Sequence, residues 1–307
     1  MKRILICSVM LLGLESGEAG NRSGSVTAQF LKIPINARVA AIGNAQVSLA
    51  EGASSIAFNP AGTLSISTFS FSGTYNQWWA DIQHGFVGAA VNFPGIGTIG
   101  AGVTALATDD MSVTTPGFPE GTGEMFRASE FAFTLTYARQ ISELFGLGLS
   151  LKYINSNLYN TDINSNVLAF DFGTLYDIPV LRTRLGISVN NLGKDLRYIN
   201  ETYSLPTALR FGARVNVYEE GIHRVFGVIQ VGRPNDADEQ WNIGGEYIYQ
   251  EIFALRGGYR FNYDTEDWSA GVGVLLNSLG LNGSVDYAFT HYKFLPGTHM
   301  FTIETGF

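Results

Sequence analysis

Cysteine is almost missing from this chain: the only one, Cys7, sits in an N-terminal apolar run. Removal of that run leaves no thiol, which excludes disulfides, thiol catalysis and thiolate metal sites together. Charge is also scarce. Only 15% of the 307 residues are Asp, Glu, Lys or Arg, against about 25% in an ordinary soluble domain. The formal net charge of −8 leaves no basic surface for phosphates, so a nucleic-acid partner is not expected. Long apolar runs are absent as well. The N-terminal one, Ile4 to Leu14, is far shorter than the roughly 20 residues a membrane-spanning helix needs. Preceded by Lys2-Arg3 and followed by small residues from Ser16 to Gly20, it reads as a signal peptide over residues 1–20, cleaved near residue 20.

What the chain does have is glycine (36 residues), aromatics (13%) and a period of two. From about residue 68 the sequence alternates nearly without interruption. Turn punctuation divides it into about fourteen strand-like segments, from 69–77 to 300–307 and including 145–155 and 166–177. Most are about 8–11 residues long, enough for a tilted strand to cross a bilayer. Leu149, Leu151 and Tyr153 alternate with Gly148, Ser150 and Lys152; Leu168, Phe170 and Phe172 alternate with Ala169, Asp171 and Gly173. One face is apolar and the other small, polar or charged, as lipid-facing and lumen-facing positions require. Connections alternate too. Tight turns such as Pro94-Gly95-Ile96 and Asn277 to Leu279 take turns with longer stretches such as Thr108 to Ser129, Ser156 to Ser165 and Asn191 to Pro206. The expectation is an all-β membrane fold: an antiparallel transmembrane β-barrel of about fourteen strands over residues 68–307, in the outer membrane. The final segment places Phe301, Ile303 and Phe307 on one face, the pattern of an insertion signal read by the barrel-assembly machinery. Lipid is then an obligatory partner. A secreted β-sandwich adhesin, which also alternates, is the alternative from another class.

Residues 21–67 do not alternate. Ala37 to Ala50 is rich in Ala and Gly, and a helical turn around Ser54 to Phe58, ended by Pro60, is expected before Asn59-Pro60-Ala61-Gly62. Small residues suit close packing against other backbone, such as a barrel wall. The pattern Arg38-x-x-Ala41-Ile42-Gly43-x-Ala45, followed by Asn59-Pro60-Ala61-Gly62, resembles the N-terminus of FadL-like barrels, in particular their PorV/PorQ branch. Further on, Asn191-Leu192-Gly193 and Leu205-Pro206-x-x-Leu209-Arg210-x-Gly212 resemble the same branch. The resemblance implies a fourteen-stranded outer-membrane barrel with an N-terminal hatch segment folded into its lumen, and Arg38, Gly43, Asn59, Pro60, Ala61 and Gly62 as the hatch motif. FadL proper carries long-chain fatty acids and other hydrophobic compounds inward; PorV supports type IX secretion, binding exported cargo and surface-attachment partners. The leading expectation is therefore support of type IX protein secretion and surface attachment, with secreted cargo or secretion-system subunits as partners. The alternative is a diffusion channel for long-chain fatty acids or other hydrophobic small molecules.

Arg210, Arg214, Arg256 and Arg260 fall on polar strand faces, as do Asp171, Glu246, Asp286 and Glu304. An arginine facing lipid at the midplane costs about 2–4 kcal/mol, so these side chains are expected in the lumen. There they either pair with one another and the hatch or bind an anionic headgroup or carboxylate. Asp236-x-Asp238-Glu239 lacks the spacing of a calcium loop and reads as a solvated external loop. No metal site, cofactor or catalytic nucleophile is expected from His84, His223, His291, His299 or the serines. Trp78, Trp79, Tyr75, Tyr198, Tyr203, Trp241 and Trp268, near strand ends, read as an interface girdle.

Overall fold

The computed structural model describes residues 24–159, 163–276 and 282–307. The expected signal peptide and the turn Asn277 to Leu279 lie outside the described residues. Fourteen antiparallel strands close into a barrel. In chain order they are β1 (Phe69–Gln77), β2 (Gln83–Phe93), β3 (Gly97–Ala107), β4 (Ser129–Ser142), β5 (Phe145–Tyr159), β6 (Ile163–Ile178), β7 (Thr183–Gly193), β8 (Ala208–Glu220), β9 (His223–Pro234), β10 (Gln240–Tyr249), β11 (Phe253–Phe261), β12 (Glu266–Leu275), β13 (Asn282–Tyr292) and β14 (Thr298–Gly306). Each pairs with its neighbours in sequence, and β14 pairs with β1 from Ser70↔Gly306 to Gln77↔His299. Closure leaves no strand edge unpaired, which the hydrocarbon interior demands.

The alternation sorts side chains as its period requires. On β5, Leu149 is 56% exposed on the outer face while Lys152, three residues on, is 3% exposed inside. Phe301, Ile303 and Phe307 are on the outer face. The seam extends past the strand: Phe307 N–H donates to Phe69 O at 2.9 Å, and its ring stacks on Phe69.

The connections differ from expectation in one respect. Within the stretch Ser156 to Ser165 the described residues, 156–159 and 163–165, are strand rather than loop: β5 and β6 are 15 and 16 residues long and stay in register through Asn157↔Asn164. A hydrogen bond from Asn155 Nδ2 to Asn164 Oδ1, 2.8 Å, ties the extension together. Long connections persist after β3 and after β7. The second does not stand clear of the barrel. Its small hairpin, Leu196–Tyr198 with Glu201–Tyr203, turns inward and buries Leu196, Tyr198 and Leu205 against Ala28, Phe30, Ile154 and Ala169. Tyr198 is therefore not a girdle residue. Its hydroxyl lies 3.0 Å from Thr27 Oγ1, because an apolar cluster at the long-loop mouth offers the ring more burial than the membrane surface does. Trp78 and Trp79 stack edge-on against Tyr292, and Trp79 Nε1 donates to Pro296 O at 2.7 Å.

Residues 26–66 run through the interior. Helix α1 (Ala37–Ala41) is capped by Asn36, whose side chain accepts from Val39 N at 3.2 Å. A 3₁₀ turn follows at Ala53–Ala57. Pro60 does not end that turn; it opens a second one, Pro60–Ser65, with Asn59 as N-cap. Proline at the first helical position loses no hydrogen bond, so this is its comfortable place. The segment touches wall backbone directly where the strands carry glycine. A Cβ on Gly148 would strike Pro60 and Ala61, one on Gly186 would strike Val47, and one on Gly258 would strike Ile42 and Gly43. Gly43 itself, at φ +66°, is reciprocally bound: a Cβ there would stand 2.9 Å from Tyr259 N.

Candidate functional site

Two polar clusters and one cavity lie between this luminal segment and the wall. The first cluster is a chain of charges toward the short-turn end. Arg38 grips Glu246 with two bonds, Nε to Oε1 at 3.1 Å and Nη2 to Oε2 at 2.9 Å, and donates Nη1 to Glu51 Oε2 at 2.9 Å. Such fork-on-carboxylate pairing fixes direction as well as distance. Glu51 also accepts from Arg184 at 3.1 Å and Arg214 at 2.7 Å. Arg184 continues to Asp177, and Arg256 joins Glu246 to Asp286. Arg38 and Arg214 both stand over the Phe226 ring, at 5.6 and 5.5 Å. Burial alone raises the Glu51 carboxyl, but the guanidiniums of Arg38, Arg214 and Arg184 outweigh it and bring it down to about 2. Glu51 is thus the node through which the luminal segment, braced by its own Arg38, reaches two wall strands, β7 and β8, and sequence reasoning did not single it out. Its partners on the wall are 133 and 163 residues away, so no local spacing reports them.

The second cluster surrounds a bulge in β7. Between Phe170↔Leu192 and Phe172↔Val189, two residues, Asn190 and Asn191, face Asp171 alone. Asn191 takes φ +60°. A bulge re-aims consecutive side chains to one side, and here both asparagines are buried inside. Asn190 Nδ2 donates to Phe58 O at 3.1 Å, and Asn191 Nδ2 to Pro206 O at 3.0 Å. Lys152 bonds Asn191 Oδ1 at 2.9 Å and pairs with Asp171 at 2.7 Å. Arg210 donates to Asn190 Oδ1 at 2.9 Å. The family-like Asn-Leu-Gly and Leu-Pro residues are thus the parts of one locked corner.

The four arginines face the lumen but do not converge. Arg210 sits at the bulge, Arg214 on Glu51, and Arg256 between Glu246 and Asp286. Among the described residues Arg260 donates a hydrogen bond only to a backbone carbonyl, Ala40 O, at 3.3 Å. The hatch-motif residues divide as well. Arg38 belongs to the charge chain and Gly43 to the β11 wall, while Asn59 bonds Val47 O at 2.8 Å and Thr174 O at 3.3 Å. Pro60 and Ala61 press on β5 at Gly148, and Gly62 packs under Ala50 and Ser55. Asp236 departs from its expected solvated loop. It is buried and ion-paired to Lys32 of the luminal segment, since that segment passes under the loop and supplies a cation.

The cavity, about 500 Å³, opens at the short-turn end. Val39, Leu49, Phe58, Ile66 and Ile248 are on its apolar wall; Arg38, Arg224, Arg256, Glu51, Glu246 and Glu304 supply its charges.

No protein-family model matches the chain, and no curated protein does. Solved structures do. The Ralstonia pickettii toluene transporter TbuX matches with a TM-score of 0.59 at 12% identity, over 89% of this chain and 98% of its own. The Pseudomonas putida toluene transporter TodX gives a TM-score of 0.59 at 12% identity, over 88% and 96%. A Pseudomonas aeruginosa FadL homologue gives 0.51 at 11% identity, over 88% and 97%. At such low identity the likeness carries the architecture alone, and that architecture is a fourteen-stranded antiparallel barrel of FadL-like fold.

Proposed function

We propose that the protein is an outer-membrane channel that passes small hydrophobic molecules, with residues 26–66 as its hatch. The observation that carries this reading is how the lumen is filled. An apolar cluster around Phe30, Leu196 and Tyr198 occupies the long-loop mouth. A half-apolar cavity of about 500 Å³ waits at the other end, with the ion-paired segment between them. A general porin keeps a water-filled lumen; here the segment takes up luminal space and leaves an apolar surface toward each end, which suits an apolar solute better than a polar one. The likeness in fold to two toluene transporters supports the same reading. A deletion strain tests it. Uptake of labelled toluene or oleate is expected to fall several-fold and to return with the wild-type gene; equal uptake of both with and without the gene overturns the proposal.

A second reading, support of type IX secretion and surface attachment, is favoured by one observation. The residues resembling the PorV/PorQ branch, Asn191 and Leu205-Pro206, build the locked corner at the bulge rather than a passage. Its partners would be secreted cargo or secretion-system subunits. In the same deletion strain, loss of exported proteins from the surface with unchanged hydrophobic uptake selects this reading over the first.

A further inference from the structure

The charged groups that line the short-turn cavity are not all paired. Arg38, Arg256 and Arg224 line it and are all paired, with Glu51 and Glu246, with Glu246 and Asp286, and with Glu219 and Glu251. Glu304, which also lines it, has no cationic partner among the described residues. Asn36 Nδ2 and Ser54 Oγ donate weakly to its Oε2, at 3.3 and 3.4 Å, and Oε1 has no partner. Arg38 acts on it as an opposite charge and Asp286 and Glu51 as like charges, but all three are already committed to other partners. Oε1 is enclosed beside Gly52, and Oε2, with only two long contacts, keeps capacity for a stronger donor. Beside it stands an apolar wall, Val39, Leu49, Phe58, Ile66, Ile248 and Leu275. The volume falls within the range of small-ligand pockets.

We propose that this cavity is a binding site for a small apolar molecule carrying an amine head, with Glu304 taking the ammonium and the wall taking the apolar body. The charge sign selects the class. A carboxylate-headed ligand would find every guanidinium occupied and would meet Glu304 as a like charge. The site does not depend on whether the barrel transports toluene or supports secretion.

The experiment uses the full mature chain in lipid nanodiscs and three probes of one shape: phenethylamine, 2-phenylethanol and phenylacetate. Calorimetry is expected to give phenethylamine an affinity at least about tenfold above phenylacetate, as a charge-assisted hydrogen bond warrants, with 2-phenylethanol between. In Glu304→Gln the amine preference over the alcohol is expected to disappear. A second variant, Ser67→Trp at the exposed rim of the cavity, narrows the mouth without touching Glu304 and is expected to weaken all three probes. Heat-modifiable gel migration reports that each variant is folded. Phenylacetate binding as tightly as phenethylamine, an amine preference that survives Glu304→Gln, or no amine binding at all overturns the proposal. Toluene uptake by the wild-type strain is scored separately, so a failed amine site leaves the channel reading standing and a failed channel leaves the amine site measurable.

Discussion

If charge holds the luminal segment in place, Glu51→Gln should release it. The carboxylate accepts from three guanidiniums at 2.7–3.1 Å. Burial opposes the charge, yet Arg38, Arg214 and Arg184 bring the carboxyl from 4.5 to about 2. At about 1.36 kcal/mol for each tenfold change in proton affinity, that corresponds to about 3 kcal/mol. The side chain is 32% exposed, so screening by solvent reduces this to about 2 kcal/mol. Because the folded carboxyl lies below its unfolded value, the stabilisation is complete above pH ~4.3 and is lost as pH falls toward about 2. Glutamine removes the charge at every pH and leaves three guanidiniums around a neutral amide. Amide hydrogen exchange of residues 36–58, read by mass spectrometry in nanodiscs at pH 7, should quicken about thirtyfold in the variant while the strands hold. The ratio of variant to wild type should then shrink toward one as pH falls from about 4 to about 2. A ratio near one at pH 7, or one that does not change with acid, refutes the reasoning.

Three further outcomes follow from the packing. Gly258→Ala drives a methyl into the backbone of Ile42 and Gly43, an overpacking cost of about 1–3 kcal/mol; limited proteolysis should cut the luminal segment while gel migration still reports a closed barrel. Among the described residues, Arg256→Met strips Asp286 of its only guanidinium and Glu246 of one of two; stranded buried charge costs about 3–5 kcal/mol, visible as a lower urea midpoint in micelles. Phe307→Ala removes the ring that stacks on Phe69 and the last apolar residue of the insertion pattern; the fraction of heat-modifiable protein in the outer membrane should fall, with unfolded chain accumulating in the periplasm.

The wall was legible because its period is local. Leu149 and Ser150, or Phe170 and Asp171, declare opposite faces by being neighbours, and fourteen such segments suffice to close a barrel. What sequence could not report were contacts between distant residues. Glu51 looks like one acidic residue in a small-residue run until Arg184 and Arg214 are brought to it. Asp236 looks solvated until Lys32 passes beneath its loop. Asn190 and Asn191 read as a motif, but nothing in their identity reveals a bulge opposite Asp171. Pro60 was read as a stop, since a proline halts a helix entering from its N-terminal side; with Asn59 as cap it starts one instead. The glycines were visible as a count, whereas their placement beneath Pro60, Val47 and Ile42 emerges only once the segment lies against the wall.

The seam between β1 and β14 has a consequence for how the molecule is made. Thr302 Oγ1 accepts from Ala37 N at 2.9 Å and lies 2.8 Å from Thr74 Oγ1 across the seam, while Ser70 Oγ on the other side accepts from Ala53 N at 3.1 Å. Both lips of the final joint hold the same luminal segment. The luminal segment is therefore a surface on which the first and last strands are fitted together, and an empty barrel would lack part of the glue for its own closure. A chain that misplaces this segment is left with a seam held by strand pairing alone, and an unpaired strand edge invites pairing with another chain.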